Sequence, residues 1–157
     1  MKFHASPRLA ATAFTCLACL LAQTGRAQPN ASSWERKLFG AVNRERKTQG
    51  LSALKWDAAL AAAALRHAQE MAKHQSISHQ FPNERSLPAR ATKAGARFTS
   101  IAENVAQAPT AAELHRLWMG SSEHRANILD KDMNSVGIGI AKHNGNMFAV
   151  EDFSKSR

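Results

Sequence analysis

Val136-Gly137-Ile138-Gly139-Ile140-Ala141-Lys142-His143-Asn144-Gly145-Asn146-Met147-Phe148-Ala149-Val150-Glu151-Asp152-Phe153 is the stretch that decides the fold class. From Val136 to Ile140, branched apolar residues alternate with glycine, as in a strand against which another backbone or helix packs closely. Asn144-Gly145 is the dipeptide that accepts positive φ at both centres of a tight hairpin, and Met147 to Phe153 reads as the returning strand. Upstream the periodicity is helical. Glu123 to Leu129 has helical character, Gly120-Ser121-Ser122 interrupts it, and Thr110 with Glu113 forms a capping box that opens a helix through Leu114, Leu117 and Trp118. Ile101 to Ala106 alternates apolar and polar residues and predicts a short strand. Ser76 to Pro88 reads as loop, with a short helix after it that Gly95 stops.

The longest helix is predicted from an Asp57 N-cap to about Gln75. Its buried face is assigned to Leu60, Ala61, Ala64, Leu65, Ala68, Met71 and Ala72. Before it, Ser32 and Glu35 make another capping box for a helix that ends near Gly50, and Leu51 to Trp56 reads as a connector plugging the core. The order helix, helix, strand, helix, hairpin predicts an α+β fold with helices covering an antiparallel sheet.

With 157 residues and 44% hydrophobic content, the chain has the size and apolar supply of one domain, too short for an enzyme with a separate cofactor fold. The first residues are set apart. Lys2 and Arg8 form a basic start, Leu9 to Ala22 carries no charge, and Gly25-Arg26-Ala27 places small residues at the cleavage positions. We read 1–27 as a secretory signal peptide, 28–33 as a leader and 34–154 as the domain. An apolar run of about 14 residues falls short of the ~20 a membrane helix needs. Retention of the segment as an anchor is the competing reading.

Cleavage after Ala27 leaves 130 residues, removes both cysteines (Cys16 and Cys19), and lowers the formal charge from +9 to +6 by taking Lys2, Arg8 and Arg26. An exported basic protein meets anionic surfaces. Arg44, Arg46, Lys47, Arg90, Lys93 and Arg97 read as solvated residues. They carry no interleaved aromatics of the kind a nucleic-acid platform uses, so no specific nucleic acid is expected as partner.

No nucleotide-binding, HExxH or GxSxG motif is present, and the mature chain holds no cysteine nucleophile. What stands out is His79, Glu103 and His124, with Ser121 and Glu123 beside the last. Two imidazoles and a carboxylate can chemically hold zinc with an open position, but separations of 24 and 21 residues do not by themselves make them converge. His67 reads as a core histidine bonded to a backbone carbonyl, and Asn104, Trp118 and Asn127 as scaffold. Ser121 reads as a helix cap, because no base or oxyanion site that would activate it can be located.

Trp118-x-x-Ser121-x-x-His124-Arg125-x-Asn127-Ile128-Leu129, the Glu103-Asn104 pair, His67-Ala68-x-x-Met71-Ala72 and the Gly137-x-Gly139 strand together resemble the bacterial branch of the CAP superfamily. This superfamily takes in cysteine-rich secretory proteins, antigen 5 and pathogenesis-related proteins, and is also called SCP-like. The resemblance runs from about Trp34 to Phe153. It implies a three-layer α-β-α sandwich, with helices on both faces of a small antiparallel sheet, and a shallow cleft where His79, Glu103 and His124 meet. In such a cleft His79 and His124, and less directly Glu103, are the residues that would hold zinc or another divalent metal.

The sequence departs from the family pattern at Ala102, where glycine is usual, and at Ser121, where eukaryotic members carry a second glutamate. Ser122-Glu123 stands in place of Pro-Gly. Two functions follow as expectations. One is a secreted or periplasmic module that binds an envelope ligand (a lipid-like molecule, a wall polymer or a protein). The other is a zinc-assisted, peptidase-like hydrolase in the same cleft.

Overall fold

Helix α1 (Ser33–Thr48) starts where Ser32 and Glu35 cap each other: Ser32 Oγ accepts from the Glu35 amide, and Glu35 Oε2 from the Ser32 amide. This computed structural model describes residues 31–157; the segment read as a signal peptide and residues 28–30 of the leader lie outside the described residues. The same Glu35 reaches the sheet, its Oε1 accepting from the Ile140 amide at 3.1 Å. After α1 come β1 (Lys55–Trp56), α2 (Ala58–His74), α3 (Leu87–Lys93), β2 (Phe98–Ala108), α4 (Ala111–Gly120), α5 (Ser122–Ile128), β3 (Ser135–His143) and β4 (Asn146–Ser156). No helix among the described residues is long and apolar enough to cross a membrane.

The four strands lie in the order β1-β3-β4-β2. β3 and β4 form the hairpin, turning through Asn144 (φ 48°) and Gly145 (φ 78°). β2 runs antiparallel to β4 over ten paired positions from Phe98↔Ser156 to Ala108↔Met147, and is longer than the Ile101–Ala106 stretch its alternation suggests. The connector 51–56 adds a fourth strand: Lys55 and Trp56 pair in parallel with Ser135 and Val136, which makes the sheet mixed. Two residues carry no period, so nothing in the sequence marks β1.

Alternation along the strands sorts the core into two layers. Leu38, Val42, Leu114, Trp118 and Ile128 of α1, α4 and α5 pack on Val136, Ile138, Ala149 and Phe153. Ala64, Ala68, Met71 and Ala72 of α2 pack on Val105, Phe148 and Val150 of the other face. Helices therefore cover both faces, giving the expected three layers. The buried face of α2 is Leu60, Ala63, Ala64, His67, Ala68, Met71 and Ala72. Leu65, assigned inward from its spacing, is 36% exposed, and Ala63 lies inside instead.

Arg46 and Arg90 correct the sequence reading, which placed them in solvent. Arg46 is 1% exposed and donates to the carbonyls of Ser52, Ile128, Asp130 and Met133, gathering the chain end of α5 and the following turn. Desolvation lowers its pKa, with the Asp130 charge opposing. Arg90 is 6% exposed and belongs to the site.

Candidate functional site

Glu103 and Asn104 are consecutive on β2, an edge strand, so the pleat sends them to opposite faces of the sheet. Each gathers one histidine. On the α2 side, Glu103 Oε1 lies 2.9 Å from His79 Nδ1, and Glu103 Oε2 is paired with the Arg90 guanidinium. A carboxylate only accepts here, so His79 donates from Nδ1 and leaves Nε2 toward solvent; its side chain is 64% exposed while that of Glu103 is 3% exposed.

On the other side, Asn104 Nδ2 donates to the His124 carbonyl at 3.1 Å and to Glu151 Oε2 at 3.2 Å. Asn127 Nδ2 donates to Asn104 Oδ1 at 2.9 Å. Ser121 is the N-cap of α5, its Oγ accepting from the His124 amide at 3.4 Å. Trp118 is fully buried in the last turn of α4. Glu123 is exposed in the first turn of α5. Thus Glu103 touches His79, and Asn104 places His124.

The two imidazoles differ in proton affinity. The hydrogen bond to Glu103 raises the His79 pKa above its ordinary value, against desolvation and the Arg90 charge. Burial lowers that of His124, and the charge of His79 lowers it further, with Glu123 opposing. The imidazoles are therefore near enough to feel each other.

Four residues of this network lay outside the sequence reading of the site. Arg90 Nη1 also donates to the His79 carbonyl at 3.0 Å, fixing the loop that carries the imidazole. Glu84 accepts from His67 Nδ1 at 2.7 Å, while His67 Nε2 meets the Ser78 carbonyl at 2.7 Å. Asp152 is the cross-strand partner of Glu103 and fully buried. Burial, then the Glu103 charge, raises its pKa well above the ordinary carboxylate value. Burial raises that of Glu151 too, on the opposite face. One signal was legible: adjacent acids inside an apolar strand covered on both faces cannot both reach water. Nothing in the sequence marks Arg90 as buried.

The Arg90 guanidinium is the buried counter-charge of Glu103. Arg90→Met strands that carboxylate next to Asp152, and a loss of about 3–5 kcal/mol is expected. Urea unfolding measures it, and adding Glu103→Gln should restore more than half of the loss. A double variant no more stable than Arg90→Met would disprove the assignment.

Among the described residues no group of three His, Cys, Asp or Glu side chains gathers to hold a metal ion. The reason is visible in Glu103, whose two oxygens are taken by His79 and Arg90. The donor set therefore does not fit a three-ligand catalytic zinc. The ring nitrogens left outside these contacts are His79 Nε2 and those of His124.

The sequence profile of the "Cysteine-rich secretory protein family" matches residues 39–153. YkwD of Bacillus subtilis, an uncharacterised protein, is 32% identical over 120 residues; the alignment spans 76% of this chain and 47% of that protein, so this chain spans about half the length of that relative. Among solved structures, an extracellular SCP-domain protein from Bacillus anthracis superposes with a TM-score of 0.73 at 24% identity, over 78% of this chain and 40% of that one. An outer surface protein from Borrelia burgdorferi gives a TM-score of 0.74 at 19% identity, over 82% and 96%. NaASP2, crystallised with Zn2+, gives 0.60 at 10% identity, over 83% and 84%. At these identities the structural likeness is one of fold.

Proposed function

The chain belongs to the cysteine-rich secretory protein (CAP) family, and from that premise we propose that it is an exported binding module of the cell envelope. In this reading residues 1–27 direct export and are removed, and the His79–His124 edge of β2 is a ligand-facing site. Support for export comes from the charge-free run Leu9 to Ala22 and from relatives described as extracellular and outer-surface.

The observation that carries the binding reading is the state of Glu103. Its carboxylate is locked between Arg90 and His79, so it orients an imidazole and is not free as a general base. Zinc-assisted hydrolysis would need a third ligand and a free base, and the donor set favours neither. A divalent cation, if bound, would be held by His79 and His124 and would supply positive charge to an anionic or carbonyl group of a ligand. The hydrogen bond from His79 Nδ1 to Glu103 fixes the ring and leaves Nε2 as the nitrogen that would face the cation.

The test is retention of purified protein on an isolated envelope fraction, with and without zinc. Saturable retention is expected, strengthened by zinc, and the zinc increment should vanish in His79→Ala/His124→Ala. It should also shrink as pH falls below the raised His79 pKa, because a proton then occupies the cation's place. No saturable retention, or peptide hydrolysis that the double variant abolishes, would refute the reading.

A further inference from the structure

A second concavity, lined by none of His79, Glu103 and His124, lies between the C-terminal half of α2 and the turn leading into α3, with a volume of about 740 Å³. We propose that this groove binds an anionic polysaccharide, a linear sugar chain bearing carboxylate or phosphate groups. Both walls are basic. Arg66 and Lys73 line it from α2, and Arg85 and Lys93 from the opposite side, all exposed. Among the described residues Arg66, Arg85 and Lys93 have no carboxylate within 4.0 Å.

The two acids of the lining do not cancel this charge. Glu70 is shared by Lys73 at 3.5 Å and His74 at 3.7 Å. Glu84 is turned inward to His67 and Arg90. The lining includes an aromatic pair: half-buried Phe81 stacks on the exposed His74 with ring centroids 4.4 Å apart and planes 19° apart.

The outer wall is rigid before any ligand arrives. The Phe81 amide donates to Glu84 Oε2 at 3.1 Å, the Glu84 amide to the Phe81 carbonyl at 3.0 Å, and Gln80 Nε2 to the Glu84 carbonyl at 2.9 Å. These bonds hold the 80–84 turn, while the Arg66, Arg85 and Lys93 side chains stay exposed beside it.

Shape and stacking choose among anions. A flat lipid surface meets the rim of a groove and not its floor. Single-stranded nucleic acid needs a succession of aromatic faces for successive bases, whereas the lining of this groove offers a single aromatic pair, Phe81 and His74. A sugar chain uses what remains, with its acid groups between the walls and its C–H faces over the Phe81–His74 pair. The inference deepens the envelope reading by naming a ligand class. It rests on that reading for where the ligand is met, and does not depend on the imidazoles.

The experiment is titration calorimetry of purified protein with polygalacturonate. Saturable, salt-sensitive binding is expected. Arg66→Gln/Arg85→Gln/Lys93→Gln should weaken it roughly 100-fold at low salt, since each cation near an anionic surface is worth about a factor of five. Arg97→Gln/Lys155→Gln/Arg157→Gln, which removes equal charge elsewhere, should weaken it less than about threefold. Circular dichroism confirms that both triple variants remain folded.

His79→Ala/His124→Ala should bind the polymer normally, so failure of the cation site and failure of the groove give different results. Absence of binding, equal losses in the two triple variants, or tighter binding to acidic lipid vesicles or to a single-stranded oligonucleotide would overturn the proposal.

Discussion

Gly139→Ala is expected to abolish the cooperative fold. A Cβ built at Gly139 would lie 2.1 Å from the Leu65 amide nitrogen and 2.4 Å from the Ala64 carbonyl carbon, and at Gly137 it would lie 2.0 Å from the Ala61 nitrogen. These are backbone atoms of a helix packed along its whole length, so no rotamer change relieves them. Either α2 lifts from the sheet, opening the Ala64–Met71 layer to water, or the strand shifts register. Ordinary overpacking costs about 1–3 kcal/mol. A clash with helix backbone should exceed about 4 kcal/mol, a large part of a typical 5–15 kcal/mol stability.

Gly120→Ala is the control: beyond its chain neighbours and the backbone of its own helix, nothing lies within 4 Å of its Cβ position. It ends a helix, and a change within about ±1 kcal/mol is expected. Thermal melts followed by circular dichroism decide the matter. A sharp Gly139→Ala transition within a few degrees of the parent would show that the strand and α2 do not meet as described.

Glu151→Gln should stabilise the protein most strongly in alkali. Glu151 is fully buried, and burial pushes its carboxyl up to about 8, against the hydrogen bond from Asn104. The unfolded chain releases that proton near the ordinary value of 4.5, while the folded chain holds it until about 8. Between those values the native state carries the extra proton, so stability falls as pH rises. The contribution is complete below the unfolded value and lost above the folded one.

Gln keeps an acceptor for Asn104 Nδ2 and has no proton to lose. Near pH 4 the two proteins should differ by less than about 1 kcal/mol, and near pH 9 the variant should lead by several. Some slope should persist, because Asp152 is shifted in the same direction. Urea unfolding across that range tests it, and parallel stability curves for the two proteins would remove Glu151 as their cause.

The local elements were legible because their causes are local. The Ser32–Glu35 and Thr110 caps, the Asp57 cap on the Ala59 and Leu60 amides, and the Asn144-Gly145 turn each depend on residues within a few positions of one another. Leu65 was misplaced because it meets the sheet through its backbone: its N and Cα lie where a Cβ of Gly139 would stand, and its side chain is left 36% exposed, which local periodicity does not register. The histidines and Glu103 could be singled out as chemistry-bearing, and the family resemblance made their meeting an expectation; the structure puts His79 on Glu103 and ties His124 to Asn104 through its carbonyl, partners that spacing did not supply.

By itself, then, the sequence determined the sorting of residues into helices and hairpin, the α+β class, and which side chains carry reactive groups, because short-range sterics, capping and hydrophobic period settle these. The tertiary structure alone decided that Glu103 faces Arg90 and Asp152, that Arg46 and Arg90 lie inside, and that Lys55-Trp56 becomes a strand. Each of those outcomes is set by contacts between segments far apart in the chain. The charge state of a carboxylate depends on what folding places within a few ångströms of it, and no local pattern encodes that neighbour.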